Sequence, residues 1–186
     1  LNVDGGAVAL TAIGSLDLAR GSLIDVGGGA HKNSKGSLVA GQGGSITLSS
    51  DDVLPTRLAV DGELRGLALA KGGKLSLSGG GFAIHADDTA ADPLTVLRPA
   101  LVSAAGFAVI TLNANRDGIL IAAGTLLDLR QRNRVLDTRT VGAVTGTDID
   151  SLGAATYLDA AERAPTRLAM SFKRRANQPF ASAEVR

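Results

Sequence analysis

Apolar and polar residues alternate along several short segments of the chain, and each segment follows a pair of glycines or a single glycine. A Gly-Gly pair followed by alternating residues that end in Leu occurs three times, and a looser fourth copy begins at Gly106. Alternation with a period of two, bounded by glycine, is typical of a β-strand with one buried face. The pattern predicts four equivalent strands, at residues 7–10, 45–48, 74–77 and 107–112.

A second repeated element follows these strands. It consists of apolar residues around a glycine and occurs at residues 16–26, 58–67 and 119–129. The middle copy is one residue shorter before its glycine, Gly62. We expect the glycines of both elements to lie at corners, where glycine supplies backbone conformations that other residues disfavour. Because the two elements recur together, the sequence predicts a repeat protein.

The intervals between Gly-Gly pairs are unequal, 38 residues from Gly6 to Gly44 and 29 from Gly44 to Gly73. A solenoid keeps its strands and varies its loops, so unequal intervals agree with stacked coils. Stacking pairs each strand with its equivalents at about 4.8 Å and buries inward Leu, Ile and Val in an aliphatic column. We therefore predict an all-β fold, a parallel β-helix (solenoid), with its coils in residues 1–137.

The pattern changes after residue 137. Residues 138–165 show no alternation. We expect them to form an irregular excursion near the C-terminal end, a loop outside the coils with a short helix. Alternation returns at residues 168–172, which predicts that residues 166–186 hold a return strand and a tail.

Composition narrows the classes of function. The 186 residues include no cysteine and two histidines far apart in sequence, His31 and His85, which excludes a disulfide framework and a Cys-based zinc site, and we expect no cofactor and no metal site. A formal net charge of +1 and an aromatic content of 3% argue against a nucleic-acid surface. The longest uncharged stretch, residues 99–115, is too short and too polar for a membrane-spanning helix.

Two pairs of neighbouring carboxylates support an enzymatic alternative. Asp51 and Asp52, and likewise Asp87 and Asp88, follow predicted strands, and stacked coils can bring distant loops onto one face. Glycoside hydrolysis requires two carboxyl groups about 5 to 10 Å apart, and His85 lies near the second pair. The alternative interpretation is four solvated turn residues. A polysaccharide lyase or glycosidase is thus the competing function, and only under it are these four residues catalytic.

A local excess of arginine begins near residue 130. The candidate binding residues are Arg130, Arg132, Arg134 and Arg139, because guanidinium groups match the oxygens of sulfate and carboxylate. A module that binds an acidic glycan at residues 130–165 is therefore a further alternative. The opposing interpretation is surface ion pairing, because Asp128 and Asp137 lie in the same stretch.

Several segments resemble the filamentous-haemagglutinin family of large two-partner secretion exoproteins. They are the Gly-Gly repeat itself and residues 60–66, 106–107, 133–137 and 145–148. The resemblance implies a Gram-negative exoprotein that passes through a dedicated outer-membrane pore transporter and is then secreted or displayed at the cell surface. It also implies a right-handed β-helix, often adhesive, that meets a receptor or glycan on a host or neighbouring cell.

One departure from the family decides which part of such a protein this chain resembles. The secretion domain of the family carries an Asn-Pro-Asn motif, which is missing here, the nearest feature being residues 177–179. Since the chain also opens without an initiator Met, we expect a fragment of a longer chain. The expected function is a structural shaft segment of an adhesin-type exoprotein, without enzymatic activity and with no family site residue carried over.

Overall fold

The computed structural model describes residues 3–50, 57–85, 94–144 and 146–173. Across those ranges the fold is all-β, with one short helix, α1 (Pro99–Ser103), and two 3₁₀ turns (Thr138–Gly142 and Ile149–Leu152). The strands in chain order are β1 (Ala7–Ala12), β2 (Leu16–Leu18), β3 (Leu23–Asp25), β4 (Ala30–Lys32), β5 (Leu38–Ala40), β6 (Ser45–Ser50), β7 (Leu58–Val60), β8 (Glu63–Arg65), β9 (Lys74–Ile84), β10 (Thr95–Leu97), β11 (Val109–Ile121), β12 (Asn133–Leu136), β13 (Gly153–Thr156) and β14 (Arg167–Phe172).

The principal sheet is parallel and brings the repeated strands together. Its strands follow the order β1-β6-β9-β11-β14, with β10 pairing β9 off this path. The register aligns one residue from each strand at the same position, namely Ala7, Ser45, Lys74, Val109 and Arg167. The equivalence of the four strands predicted from the repeat is therefore confirmed, and β14 adds a fifth to the series.

The strands that follow β1 pair with the strands that follow β6. β2 pairs in parallel with β7, and β3 pairs in parallel with β8. β1, β2 and β3 thus lie against β6, β7 and β8, strand by strand. We call the principal sheet together with these two side pairs the strand stack. The antiparallel hairpin of β4 and β5 lies in the connection between the two segments.

In the second repeated element, the structure pairs different residues from those that the sequence spacing aligns. The spacing aligns Leu23 with Leu64, whereas the structure pairs Ile24 with Leu64. The offset between partners falls from 42 residues at Leu16 to 40 at Leu23, so the middle copy is shorter by two residues rather than one. Because neighbouring strand residues point to opposite faces, Ile24 packs against the core and Leu23 is 50% exposed.

Glycines serve the strand stack in two ways. Gly21 and Gly124, at equivalent places in the second element, have φ of +88° and +77°, the left-handed conformation expected at corners. The glycines of the Gly-Gly pairs have no such φ, so a left-handed conformation is not the reason for glycine at these positions. Their positions instead bring neighbouring backbones into contact, since a Cβ on Gly44 would collide with the carbonyl oxygen of Gly6. A Cβ on Gly73 would lie 2.6 Å from the carbonyl oxygen of Gly44.

Aliphatic side chains form columns across the principal sheet. Within the strand stack these side chains are 1% exposed or less, as the alternation predicted, and the columns consist of Ile46, Leu75, Ile110, Leu48, Leu77 and Leu112. The columns continue into the two outer strands, where Leu10 of β1 and Met170 of β14 are 36% and 43% exposed. The side chains of the columns are therefore buried in the middle strands and partly exposed in both outer strands.

Residues 130–165, which we call the arginine segment, are organised differently. β12 and β13 form an antiparallel pair, and Arg130 bridges Pro165. The short helix expected in this region is reduced to one turn, in which the carbonyl of Asp159 accepts the N–H groups of Glu162 and Arg163 at 2.9 Å. β14 then returns to the principal sheet at the place where alternation predicted a strand.

Candidate binding cleft

Of the residues named in the enzymatic hypothesis, the structure describes His85. Asp51, Asp52, Asp87 and Asp88 lie outside the described residues. His85 follows β9, and its backbone N–H donates to the carbonyl of Leu97 at 3.3 Å. Within the described ranges, no group of three or more His, Cys, Asp and Glu side chains is arranged to hold a metal ion.

Arg130 and Arg139 are each held by an aspartate two residues earlier. The Nε and Nη2 of Arg130 donate to the two carboxylate oxygens of Asp128, and Arg139 makes the same two-pronged contact with Asp137. The side chain and backbone N–H of Arg130 hold the pKa of Asp128 far below its usual range, and those of Arg139 lower the pKa of Asp137. The ion pairs proposed as the alternative to ligand binding are present at both positions.

Arg134 is buried and fastens the arginine segment to the strand stack. Its side chain is 5% exposed and forms an ion pair with Asp150, while its Nη1 donates to the carbonyl of Gly28 at 3.2 Å. Its backbone N–H donates to the carbonyl of Ala68 at 2.9 Å. A charged side chain at such a site is tolerated because each of these contacts replaces water. Arg134 therefore has a structural role.

Arg132 differs from the other three candidates because no carboxylate in the described part of the chain pairs with it. Its Nη2 donates to the backbone carbonyl of Ala155 at 2.5 Å. Its guanidinium carbon lies 5.9 Å from the centre of the Tyr157 ring. A guanidinium has five N–H donors, so most of those of Arg132 remain for another acceptor.

Arg132 and Arg134 face a cleft of about 920 Å³ between the strand stack and the arginine segment. One wall comes from β3, β8 and the turn before β8, a second from α1 and its flanks, and the third from β12, β13 and Asp150. Leu23, Leu64 and Leu101 provide apolar lining. Four arginines and three carboxylates also line the cleft, the arginines being Arg65, Arg98, Arg132 and Arg134.

The charges of the cleft are unevenly compensated. Arg65 donates from Nε to Glu63 at 2.7 Å, a contact that raises the pKa of Arg65. Arg134 is neutralised by Asp150. Arg132 is the lining arginine whose side chain contacts a neutral carbonyl instead. Among the described residues, Arg132 therefore keeps guanidinium donors that no carboxylate occupies.

One edge of β13 also faces the cleft. The N–H of Arg134 points to Ala68, away from β13, so Arg134 and its partner Ala155 form a pair without mutual hydrogen bonds. The N–H and C=O of Ala155, and of Gly153 two residues before it, consequently point away from β12. Both residues line the cleft. Among the described residues, no further strand pairs with this edge of β13, and Arg132 already donates to one of its carbonyls, that of Ala155.

Sequence reasoning found part of this cleft. Arg132 and Arg134 were both candidates because of the local excess of arginine; Arg134 lies in β12 and Arg132 directly precedes it. Arg65 and Arg98 were not singled out, because they come from chain segments 34 residues or more away from Arg132 that only the stacking brings close. No local signal marks them.

No protein-family model, no curated protein and no solved structure matches the chain. In the part of the chain that the structure describes, no helix has the length and apolar character needed to cross a membrane.

Proposed function

We propose that the chain is a structural shaft segment, a stretch of right-handed parallel β-helix from a large secreted or surface-displayed adhesin-type exoprotein of the filamentous-haemagglutinin kind. The observation that carries the proposal is the strand-by-strand pairing of β1, β2 and β3 with β6, β7 and β8. Three consecutive strands that each pair in parallel with the corresponding strand one repeat later are what a coiled solenoid requires. The right hand comes from the family resemblance.

The open outer strands support a longer shaft. Leu10 and Met170 continue the buried columns but are exposed, and Phe172 beside Met170 is 45% exposed. An exposed apolar edge strand invites another strand to pair with it. Further coils of the same chain, pairing with β1 and β14, would extend the aliphatic columns and cover these side chains.

The position of the arginine segment suits a shaft that carries loops. Residues 130–165 leave the strand stack, and the chain then rejoins the same sheet through β14. A solenoid tolerates such an excursion because neighbouring coils make their contacts through the strands. The loops on the outside, rather than the coils, would then meet a receptor or glycan after export through an outer-membrane pore transporter.

The proposal is tested on intact cells of the source organism with an antibody raised against residues 138–165. Val141 and Val144 in that segment are 80% and 75% exposed, so the native chain presents the epitope. External protease should remove the signal, and the detected chain should be far larger than 18.8 kDa on a gel. A cytoplasmic protein probed in parallel controls for lysis.

One outcome of this experiment would contradict the proposal. A protease-resistant chain of about 18.8 kDa that appears only after cell lysis would overturn both the exoprotein and the shaft. The same antibody on permeabilised cells ensures that a missing surface signal is not a failure of detection.

A further inference from the structure

We propose that the cleft between the strand stack and the arginine segment binds an extended peptide carrying a carboxylate, with β13 taking the peptide backbone and Arg132 taking the carboxylate. Two features, independent of the shaft proposal, are combined in this inference. They are the N–H groups of Gly153 and Ala155, which point away from β12, and Arg132 beside them, with which no carboxylate of the described residues pairs.

The backbone part of the site is a strand edge with small side chains. β13 has the sequence Gly-Ala-Ala-Thr, and its pairing partner β12 occupies one edge alone. Gly153, with φ −178° and ψ −162°, is fully extended. An extended peptide adds to such an edge through main-chain hydrogen bonds. The N–H groups of Gly153 and Ala155 are the donors that β13 offers.

The charged part of the site is already held in place. The bond from Arg132 to the carbonyl of Ala155 and the ring of Tyr157 fix the guanidinium next to the same strand edge. Arg134 and Asp150 secure the wall behind it. A guanidinium fixed in this way loses little conformational entropy when a carboxylate joins it in two-pronged geometry.

The remaining lining favours a peptide over other anions. Leu23, Leu64 and Leu101 suit alternate apolar side chains of an extended segment. Asp61 and Glu63 oppose a dense polyanion such as nucleic acid by charge repulsion. The lining includes no aromatic ring, so neither a base nor a sugar ring has a surface on which to stack.

The binding test uses the present chain labelled with nitrogen-15 and four acetylated heptapeptides. The first is Thr-Val-Thr-Glu-Thr-Val-Thr with an amidated end, and the second has Gln in place of Glu. The third is the Gln peptide with a free C-terminal carboxylate, which separates a side-chain source of the carboxylate from a terminal one. The fourth is the Glu peptide N-methylated at alternate residues, which removes the hydrogen-bond donors of one strand edge. Trigalacturonate serves as the saccharide probe.

We expect the Glu peptide to bind with a Kd of about 1 mM or tighter and to shift the amide resonances of Gly153 and Ala155. The Gln peptide should bind about tenfold more weakly because it lacks the charge. The N-methylated peptide should not bind. Arg132→Gln should remove the difference between the Glu and Gln peptides, while Arg139→Gln, in the same segment but paired with Asp137, should preserve it.

Several results would overturn the inference. One is that neither carboxylate-bearing peptide, with Glu or with the free terminus, shifts Gly153 and Ala155 at about 5 mM. Another is that Arg132→Gln and the unaltered chain discriminate Glu from Gln equally. Binding of trigalacturonate in preference to every peptide would assign the cleft to saccharides instead. The amide spectrum of each variant verifies its fold, and Arg132→Lys provides a second variant that keeps the charge without the two-pronged geometry.

Discussion

The strand stack and the arginine segment are built by opposite means within one chain. In the strand stack, parallel ladders and columns such as Leu48, Leu77 and Leu112 exclude water, and glycines let neighbouring backbones touch. In the arginine segment, the corresponding contacts are ion pairs of Arg130, Arg134 and Arg139 with aspartates.

The two kinds of contact restrict the positions of neighbouring chain segments to different degrees. A backbone contact between glycines admits one strand separation, whereas an exposed arginine pair can break and re-form at small cost. The strand stack is therefore expected to be intolerant of small additions. The arginine segment is expected to depend on the one arginine that is buried.

The largest expected effect is the difference in stability between alanine substitutions at two equivalent glycines. Gly44→Ala should lower the free energy of unfolding by about 3 kcal/mol, because the added Cβ collides with the backbone of Gly6 and the strands must separate. Gly6→Ala is the matched control, since nothing lies within 4 Å of a Cβ there, and it should change stability by less than about 0.5 kcal/mol. Urea denaturation measures both.

The same pair of variants sharpens the shaft proposal. In a longer stretch of the natural protein, a coil stacked on β1 would crowd Gly6 as β1 crowds Gly44. Gly6→Ala should then become costly in the longer chain. Equal, small effects in both lengths would argue that no coil covers β1.

A smaller effect is the difference in stability between alanine substitutions at two arginines of the arginine segment. Arg134→Ala should cost about 2 kcal/mol, because the carbonyl of Gly28 loses its donor and a buried side chain leaves a gap. Arg139→Ala removes an exposed pair and should change stability far less than Arg134→Ala. Thermal unfolding followed by circular dichroism gives the ranking, and similar values for the two variants would contradict the structural role of Arg134.

The smallest effect is electrostatic and concerns Asp128. Since hydrogen bonds from Arg130 lower the pKa of Asp128 in the folded chain, this aspartate contributes stability above its unfolded pKa. That contribution disappears as pH falls through the folded pKa. Carbon-13 NMR of the carboxyl group should show a midpoint below the ordinary value of about 3.9. Arg130→Gln should raise the midpoint toward that value; an unchanged midpoint would assign the shift to another group.

The repeated strands could be predicted because their signal is local. Each Gly-Gly pair, such as Gly43 and Gly44, directly precedes an alternating strand, and parallel pairing follows once the copies are superposed. The role of those glycines could not be predicted. Close approach of two backbones and a left-handed turn both select glycine, and the sequence alone does not distinguish them.

The cleft was predictable only through the arginines of one strand. Pairing of Arg130 with Asp128 and of Arg139 with Asp137 follows from spacing, and both pairs were anticipated. The burial of Arg134 depends on Gly28 and Ala68, which are distant in sequence. The edge of β13 that faces the cleft depends on an antiparallel pairing within a segment that shows no alternation, so no pattern pointed to it.

The aligned register of the principal sheet has a consequence for concentrated solutions. Arg167 of β14 shares its register position with Ala7 of β1, so the two outer edges of the stack match in register. Phe172 would then meet the small side chain of Ala12 in a second molecule. Such head-to-tail pairing does not close into a ring, so we expect association through these edges to give open fibres, with about 4.8 Å between strands, instead of discrete dimers.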